Sequence, residues 1–137
     1  MAQTVILTQS RFYSPAFNAA VFDGPIRIYF AQHQETVALK VYFMLQQYLK
    51  ETYSLFRNSF KQHGQTVFLM LYPSQDSFEN SFSKGIIDQV VAERLGEDHV
   101  VGVKGPLLDD QFEEIFMKVR TILQDLPLLQ EPALPSA

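Results

Sequence analysis

The sequence predicts a single α/β domain in which helices cover both faces of a mixed β-sheet. A length of 137 residues with 47% hydrophobic residues suits one buried core. Short β-type segments alternate with longer segments of helical period, a pattern typical of a sheet with packed helices. We place the domain at residues 1–126 and expect 127–137, which contain three prolines, to form a flexible tail.

Three strands are predicted in the N-terminal part of the chain. The first is Thr4 to Thr8, the second Ala16 to Phe22 and the third Ile26 to Phe30. Between the second and third, Asp23-Gly24-Pro25 predicts a tight turn, because glycine permits unusual backbone angles and proline starts the next segment without an N–H group. The second and third strands are therefore expected to form a hairpin.

A long helix is predicted from Gln34 to Lys61, a segment without proline or glycine. Gly64 is well placed to end it. Apolar residues form two rows, which widen the buried stripe beyond that of an ordinary surface helix. The narrow polar stripe contains Lys40, Gln47, Lys50, Ser54, Arg57 and Lys61. We expect this helix to be covered on more than one side.

The C-terminal half predicts two strands separated by helical segments. Thr66 to Tyr72 is an apolar run that indicates a central strand buried on both faces. Ser77 to Phe82 predicts a helical turn. Ile86 to Leu95 is interpreted as a helix closed by Gly96, and Val100 to Val103 as the last strand.

A final amphipathic helix is expected to run to about Leu126, with Asp109 or Asp110 as its N-cap. The element order is then β-β-β-α-β-α-β-α. Connections through the later helices predict parallel C-terminal strands.

The composition limits the classes of function. Without cysteine the chain can form neither disulfides nor a thiolate zinc site, which favours a reducing, cytoplasmic compartment. No segment has the length and apolarity of a membrane span. A net charge of −4 argues against a general nucleic-acid-binding protein, which would normally present a basic face.

The charge is unevenly distributed along the chain. Residues 1–68 carry six Lys/Arg against three Asp/Glu, whereas residues 69–137 carry five against twelve. The charges could mix as the two halves interleave in the fold, or they could leave an acidic face that attracts a basic partner or supports head-to-tail self-association.

A candidate ligand site lies where the parallel strands are expected to end. Loops at the carboxyl ends of strands form the usual binding edge of α/β sheets. This rim contains His33, Glu35, Ser74, Asp76, Ser77, Lys104 and Asp109. The set could bind an anion or a small molecule, but Asp76 and Asp109 could instead be helix N-caps and Ser77 a turn residue. No catalytic residue, metal site or cofactor is assigned.

Two resemblances follow from the element order and one local motif. The order resembles the ribonuclease-H-like fold, whose nucleases hold divalent metals with carboxylates, but Thr4 to Ser10 contains no acid to begin such a cluster. Val103-Lys104-Gly105-Pro106, followed by an acid-started helix, is similar to the end of a response-regulator receiver domain. That similarity covers about the last third of the chain and lacks the receiver's acidic pair.

The preferred function is a non-enzymatic protein-interaction or regulatory domain that self-associates through the long helix. Large exposed apolar patches usually mark interfaces. The candidate interface residues are Tyr42, Phe43, Tyr53, Phe56 and Phe60. A small-molecule-binding domain or enzyme that uses the rim is the alternative, and a degenerate nuclease-like domain is the weakest hypothesis.

Overall fold

The computed structural model describes residues 7–23, 26–48, 66–82, 86–96 and 98–125. Five strands form one sheet in this part of the chain, together with three α-helices and three short 3-10 helices. The strands are β1 (Ala19–Asp23), β2 (Ile26–Phe30), β3 (Val67–Leu71), β4 (Val90–Leu95) and β5 (Asp98–Val103). The α-helices are α1, described over residues 35–48, α2 (Gln75–Ser81) and α3 (Phe112–Asp125).

The sheet has the spatial order β1-β2-β3-β5-β4. β1 and β2 pair antiparallel, which confirms the predicted hairpin. β2, β3 and β5 run parallel, and β4 returns antiparallel beside β5. The predicted mixed sheet is thus present, with β1 and β4 as the edge strands of the described residues.

Both faces of the sheet are covered by apolar packing. On one face Ile28, Leu69 and Val101 lie in a core cluster with residues of α1 and α3. On the other, Phe68 and Met70 join a second cluster with residues of α2 and of the segment 7–17. Because neighbouring strand residues point to opposite faces, β3 supplies both clusters and is buried along its whole length, as predicted.

The N-terminal segment differs from the predicted first strand, Thr4 to Thr8. Residues 4–6 lie outside the described ranges, and Leu7–Gln9 forms a 3-10 helix. Ser10 holds this turn, since its hydroxyl and its N–H both donate to the Leu7 carbonyl. The segment then packs Phe12 and Phe17 onto the sheet, so its apolar residues contribute to the core without joining the ladder. The second predicted strand begins later than expected, at Ala19.

Helix α1 follows a 3-10 helix, Gln32–Gln34. Val37, Val41 and Leu45 are buried against the sheet, as the spacing of three or four residues predicts. Residues 49–61 of the predicted helix, and Gly64 beyond it, lie outside the described ranges.

The segment Ile86 to Leu95 was predicted as a helix, and this is wrong: Val90–Leu95 is strand β4. Short apolar runs fit both helical and extended periods, and here pairing with β5 decides. Gly96 has a positive φ of 66° and turns the chain into β5, so it serves a hairpin and not a helix end. The predicted element order is incorrect at this point.

The predicted helical turn from Ser77 to Phe82 and the final predicted helix are both present, with shifted bounds. α2 begins at Gln75, before the predicted Ser77. Ahead of α3, the side-chain oxygen of Gln111 accepts a 2.8 Å hydrogen bond from the Leu108 N–H, so this cap comes from neither Asp109 nor Asp110. Within the described ranges, no helix is long and apolar enough to cross a bilayer. Leu126 and the predicted tail, 127–137, lie outside those ranges.

Candidate functional site

The carboxyl ends of β2, β3 and β5 lie side by side at one edge of the sheet. Three loops follow these ends: 31–34 after β2, 72–74 after β3 and 104–108 after β5. The candidate rim residues all belong to these loops or to the first turns of the helices that they enter.

Two of the rim residues form the N-terminal cap of α2. The Ser74 hydroxyl oxygen accepts a 3.1 Å hydrogen bond from the Ser77 N–H. In return, the Ser77 hydroxyl oxygen lies 3.3 Å from the Ser74 N–H. This reciprocal arrangement satisfies backbone groups that the first helical turn leaves unpaired. Asp76 lies exposed in the same turn but is not the cap.

Lys104 makes two contacts within the fold. Its ammonium donates a 2.7 Å hydrogen bond to the Ile86 carbonyl oxygen. It also lies 5.2 Å from the centroid of the Phe78 ring, within the range of a cation–π contact. The only cation of the predicted rim therefore ties the loop after β5 to the segment before β4.

The loop after β5 packs closely against neighbouring backbone. A Cβ added to Gly105 would lie 1.9 Å from the Tyr72 carbonyl oxygen, so only glycine fits there. Beyond it, the buried Gln34 side chain donates a 3.2 Å hydrogen bond to the Leu107 carbonyl oxygen. Gln34 thereby connects the start of α1 to the loop, a role that its polarity alone did not indicate.

The remaining rim residues, His33, Glu35 and Asp109, are exposed. The structure thus brings the predicted residues to one edge, where Ser74, Ser77 and Lys104 have structural partners. In the described ranges, no group of three or more His, Asp or Glu side chains is placed to hold a metal ion.

Two of the five candidate interface residues lie in the described part of the chain. Tyr42 and Phe43 lie on α1 with ring centroids 5.3 Å apart. Tyr42 packs partly against the core, whereas Phe43 is 59% exposed. Tyr53, Phe56 and Phe60, the other three predicted residues, lie outside the described ranges.

Phe43 faces away from the sheet. Val41 and Leu45 are buried, and Phe43 lies two residues from each, a rotation of about 200° on a helix with about 100° per residue. It therefore falls between Lys40 and Gln47 in the stripe predicted to be polar. The Lys40 ammonium lies 4.9 Å from the centroid of the Phe112 ring, which places this side of α1 beside α3.

Two buried titratable groups that are not among the candidate rim residues, His99 and Tyr72, have shifted pKa values. His99 is buried near the start of β5; burial lowers its pKa below the ordinary 6.5, Arg94 lowers it further, and Asp98 opposes both. Burial likewise raises the pKa of the Tyr72 phenol far above its ordinary value, against the opposing effects of Ser81 and Arg11. Both groups are electrically neutral near pH 7, and both lie in the core.

The edge strand β4 is the main feature that the sequence interpretation missed. The paired valines Val90-Val91 and Val100-Val101 flank a turn at Gly96, which is the pattern of a β-hairpin. Reading both valine pairs together would have indicated two paired strands.

No protein-family model, curated protein or solved structure matches this chain.

Proposed function

We propose that the chain is a non-enzymatic protein-interaction or regulatory domain that self-associates through helix α1. The observation that carries this proposal is Phe43, a ring 59% exposed in the centre of the helix face turned away from the sheet. An exposed aromatic side chain in an otherwise polar stripe contributes little to the fold and supplies a contact of the kind enriched in interfaces.

The surroundings of Phe43 support a contact surface. Tyr42 packs against the neighbouring core and extends the apolar area around the ring. Lys40, one turn earlier, is held near α3 by its contact with Phe112. An exposed ring on a helix that is fixed on its other sides loses little conformational entropy on binding.

The rim at the carboxyl edge supports the alternative, a small-molecule-binding domain or enzyme, less well. Ser74 and Ser77 cap α2, and Lys104 holds the Ile86 carbonyl, so these three polar groups already have structural partners. A ligand would have to compete for them.

Sedimentation velocity over a concentration series tests the proposal. We expect the average mass of the wild-type chain to rise with concentration, and Phe43→Ser to reduce that rise by removing one contact. Leu108→Ser is the matched control, because Leu108 is similarly exposed, at 62%, but lies in the loop after β5. Equal association of wild type and Phe43→Ser would refute the role of α1.

A further inference from the structure

A second surface is the outer edge of β4, on the side away from β5. Within the described residues, β4 ends the sheet and pairs only with β5. An edge strand presents unpaired N–H and C=O groups that can extend a sheet into another chain.

The hydrogen bonds around β5 determine which backbone groups of β4 point outward. The Tyr72 N–H donates to the Val103 carbonyl and the His99 N–H to the Thr66 carbonyl, so alternate residues of β5 from 99 to 103 face β3. The intervening residues of β5 face β4, and the Lys104 N–H accordingly donates to the Gln89 carbonyl. With the observed register, the backbone groups of Val90, Ala92 and Arg94 point away from the sheet.

From this geometry we infer that β4 pairs antiparallel with β4 of a second copy of the chain, about a two-fold axis at Ala92. This register opposes Ala92 to Ala92 of the second copy, and Val90 to its Arg94. All three outward-facing residues then gain hydrogen-bonded partners. The small side chain of Ala92 lies where the two strands meet.

Shifting the register by one pairing step either way is less favourable. One shift places Glu93 directly opposite its own copy, where like charges repel. The other shift opposes Val91 to its own copy and leaves Arg94 without a backbone partner. In the proposed register Glu93, already ion-paired with Arg11 of its own chain, faces Val91 of the second copy.

Charge complementarity favours a second copy as the occupant. Asp88 and Arg94 are both exposed, and they lie on either side of Val90 along the chain. In the proposed pairing, Asp88 is the diagonal neighbour of Arg94 of the second copy, within reach of a long side chain. The two-fold axis repeats this contact, so each interface contains the pair twice.

The apolar surface beside β4 fits the same arrangement. A groove of about 370 Å³ lies between the start of β4 and α3, lined in part by Val90, Met117 and Ile122. Met117 is 47% exposed. Pairing two β4 edges brings a second α3 to the same sheet face, where it can cover this groove.

Because the chain has no cysteine, single cysteines can test the register. Opposed residues of a hydrogen-bonded antiparallel pair have Cα atoms about 5.5 Å apart, within the range of a disulfide. We expect Ala92→Cys to form a cross-linked dimer under mild oxidation. Val91→Cys is the matched control, because it lies two residues out of register with its own copy and should remain uncross-linked.

A charge swap between Asp88 and Arg94 tests the proposed contact of these two residues across the dimer interface at equilibrium. Asp88→Arg and Arg94→Asp should each raise the dissociation constant of the dimer roughly tenfold, and the double variant should restore it. Circular dichroism and urea unfolding verify that each variant is folded. These measurements are made in the Phe43→Ser background, so that failure of this interface is distinguished from failure of the α1 interface.

Each outcome decides the proposal. Cross-linking at Ala92 but not Val91, with rescue by the double swap, supports the two-fold pairing. Two results would overturn it: a folded Ala92→Cys chain that stays monomeric, or a double swap that associates no better than the single variants. Either result would mean that the edge of β4 does not bind a second copy of the chain.

Discussion

The phenolic hydroxyl of Tyr72 donates a 2.6 Å hydrogen bond to the main-chain carbonyl of Phe12, 60 residues earlier in the chain. Both residues are almost fully buried, in the cluster that joins the N-terminal segment to the sheet. Phe12, Tyr72 and Phe82 pack as a group, with the Phe12 and Phe82 ring centroids 5.0 Å apart. The hydrogen bond fixes the N-terminal segment on one sheet face.

Removing that hydroxyl should destabilise the domain. Tyr72→Phe keeps the ring but leaves the buried Phe12 carbonyl without this donor, so we expect a loss of about 1–3 kcal/mol in the free energy of unfolding. Urea denaturation measures it. Tyr13→Phe, which removes a hydroxyl from a partly exposed ring, should cost less than about 0.5 kcal/mol. Similar losses in both variants would contradict a special role for the Tyr72 bond.

The cap of α2 gives a second prediction. Ser74→Ala removes the oxygen that accepts from the Ser77 N–H, and should destabilise the domain by about 1 kcal/mol. Ser74→Asp retains an acceptor at that position and should remain close to wild type in the same unfolding experiment. If both substitutions were equally destabilising, the contribution of Ser74 would not lie in capping.

Gly105 should tolerate no side chain. In Gly105→Ala the new Cβ would lie 1.9 Å from the Tyr72 carbonyl oxygen, a backbone atom that cannot move without disturbing the end of β3. We expect a loss of about 1–3 kcal/mol or more, measured by thermal and urea unfolding. Gly96→Asn is the control, because asparagine tolerates the positive φ of that turn. Wild-type stability of Gly105→Ala would show that the loop repacks freely.

His99 should make stability depend on pH. In the unfolded chain its imidazole has a pKa near 6.5, and in the folded chain burial lowers that pKa. Between the two values the unfolded state binds more protons, so the stability contributed by neutral His99 is complete above about pH 6.5 and is lost as the pH falls. Arg94 of β4 reinforces this effect, and Asp98 opposes it.

Unfolding free energies measured from pH 7.5 down to pH 5 test this linkage. We expect His99→Gln to reduce the slope of stability against pH in that window. His33→Gln changes an exposed histidine at the other end of the sheet and serves as the control. An unchanged slope in His99→Gln would rule out His99 as the source.

The sequence predicted much of this architecture because local signals were strong. Ile26 to Phe30 was placed at its observed bounds, since the turn sequence Asp23-Gly24-Pro25 precedes it and its side chains alternate between faces. The buried central strand was recognised because a run of apolar residues, bounded by Gly64 and Pro73, is short and continuous. The rim residues were assigned to one edge because parallel strands end together.

The local sequence pattern could not decide whether Ile86 to Leu95 forms a helix or a strand. Its apolar spacing suits a helix, and only the ladder with β5 makes it a strand. The same holds for the rim. Its composition suits both a ligand site and a helix cap, and the hydrogen bonds between Ser74 and Ser77 assign these two residues to the cap.

By itself the sequence determined the class of fold, the central strand and the helix that begins after Gln34. The spacing of apolar residues that indicates each of these can be read from neighbouring positions in the sequence. The tertiary structure alone decided that β4 lies at an edge of the described sheet, that Phe43 faces away from the sheet, and that Tyr72 contacts Phe12. Those features depend on contacts between residues far apart in sequence. A short stretch of sequence carries no information about the energies of such contacts.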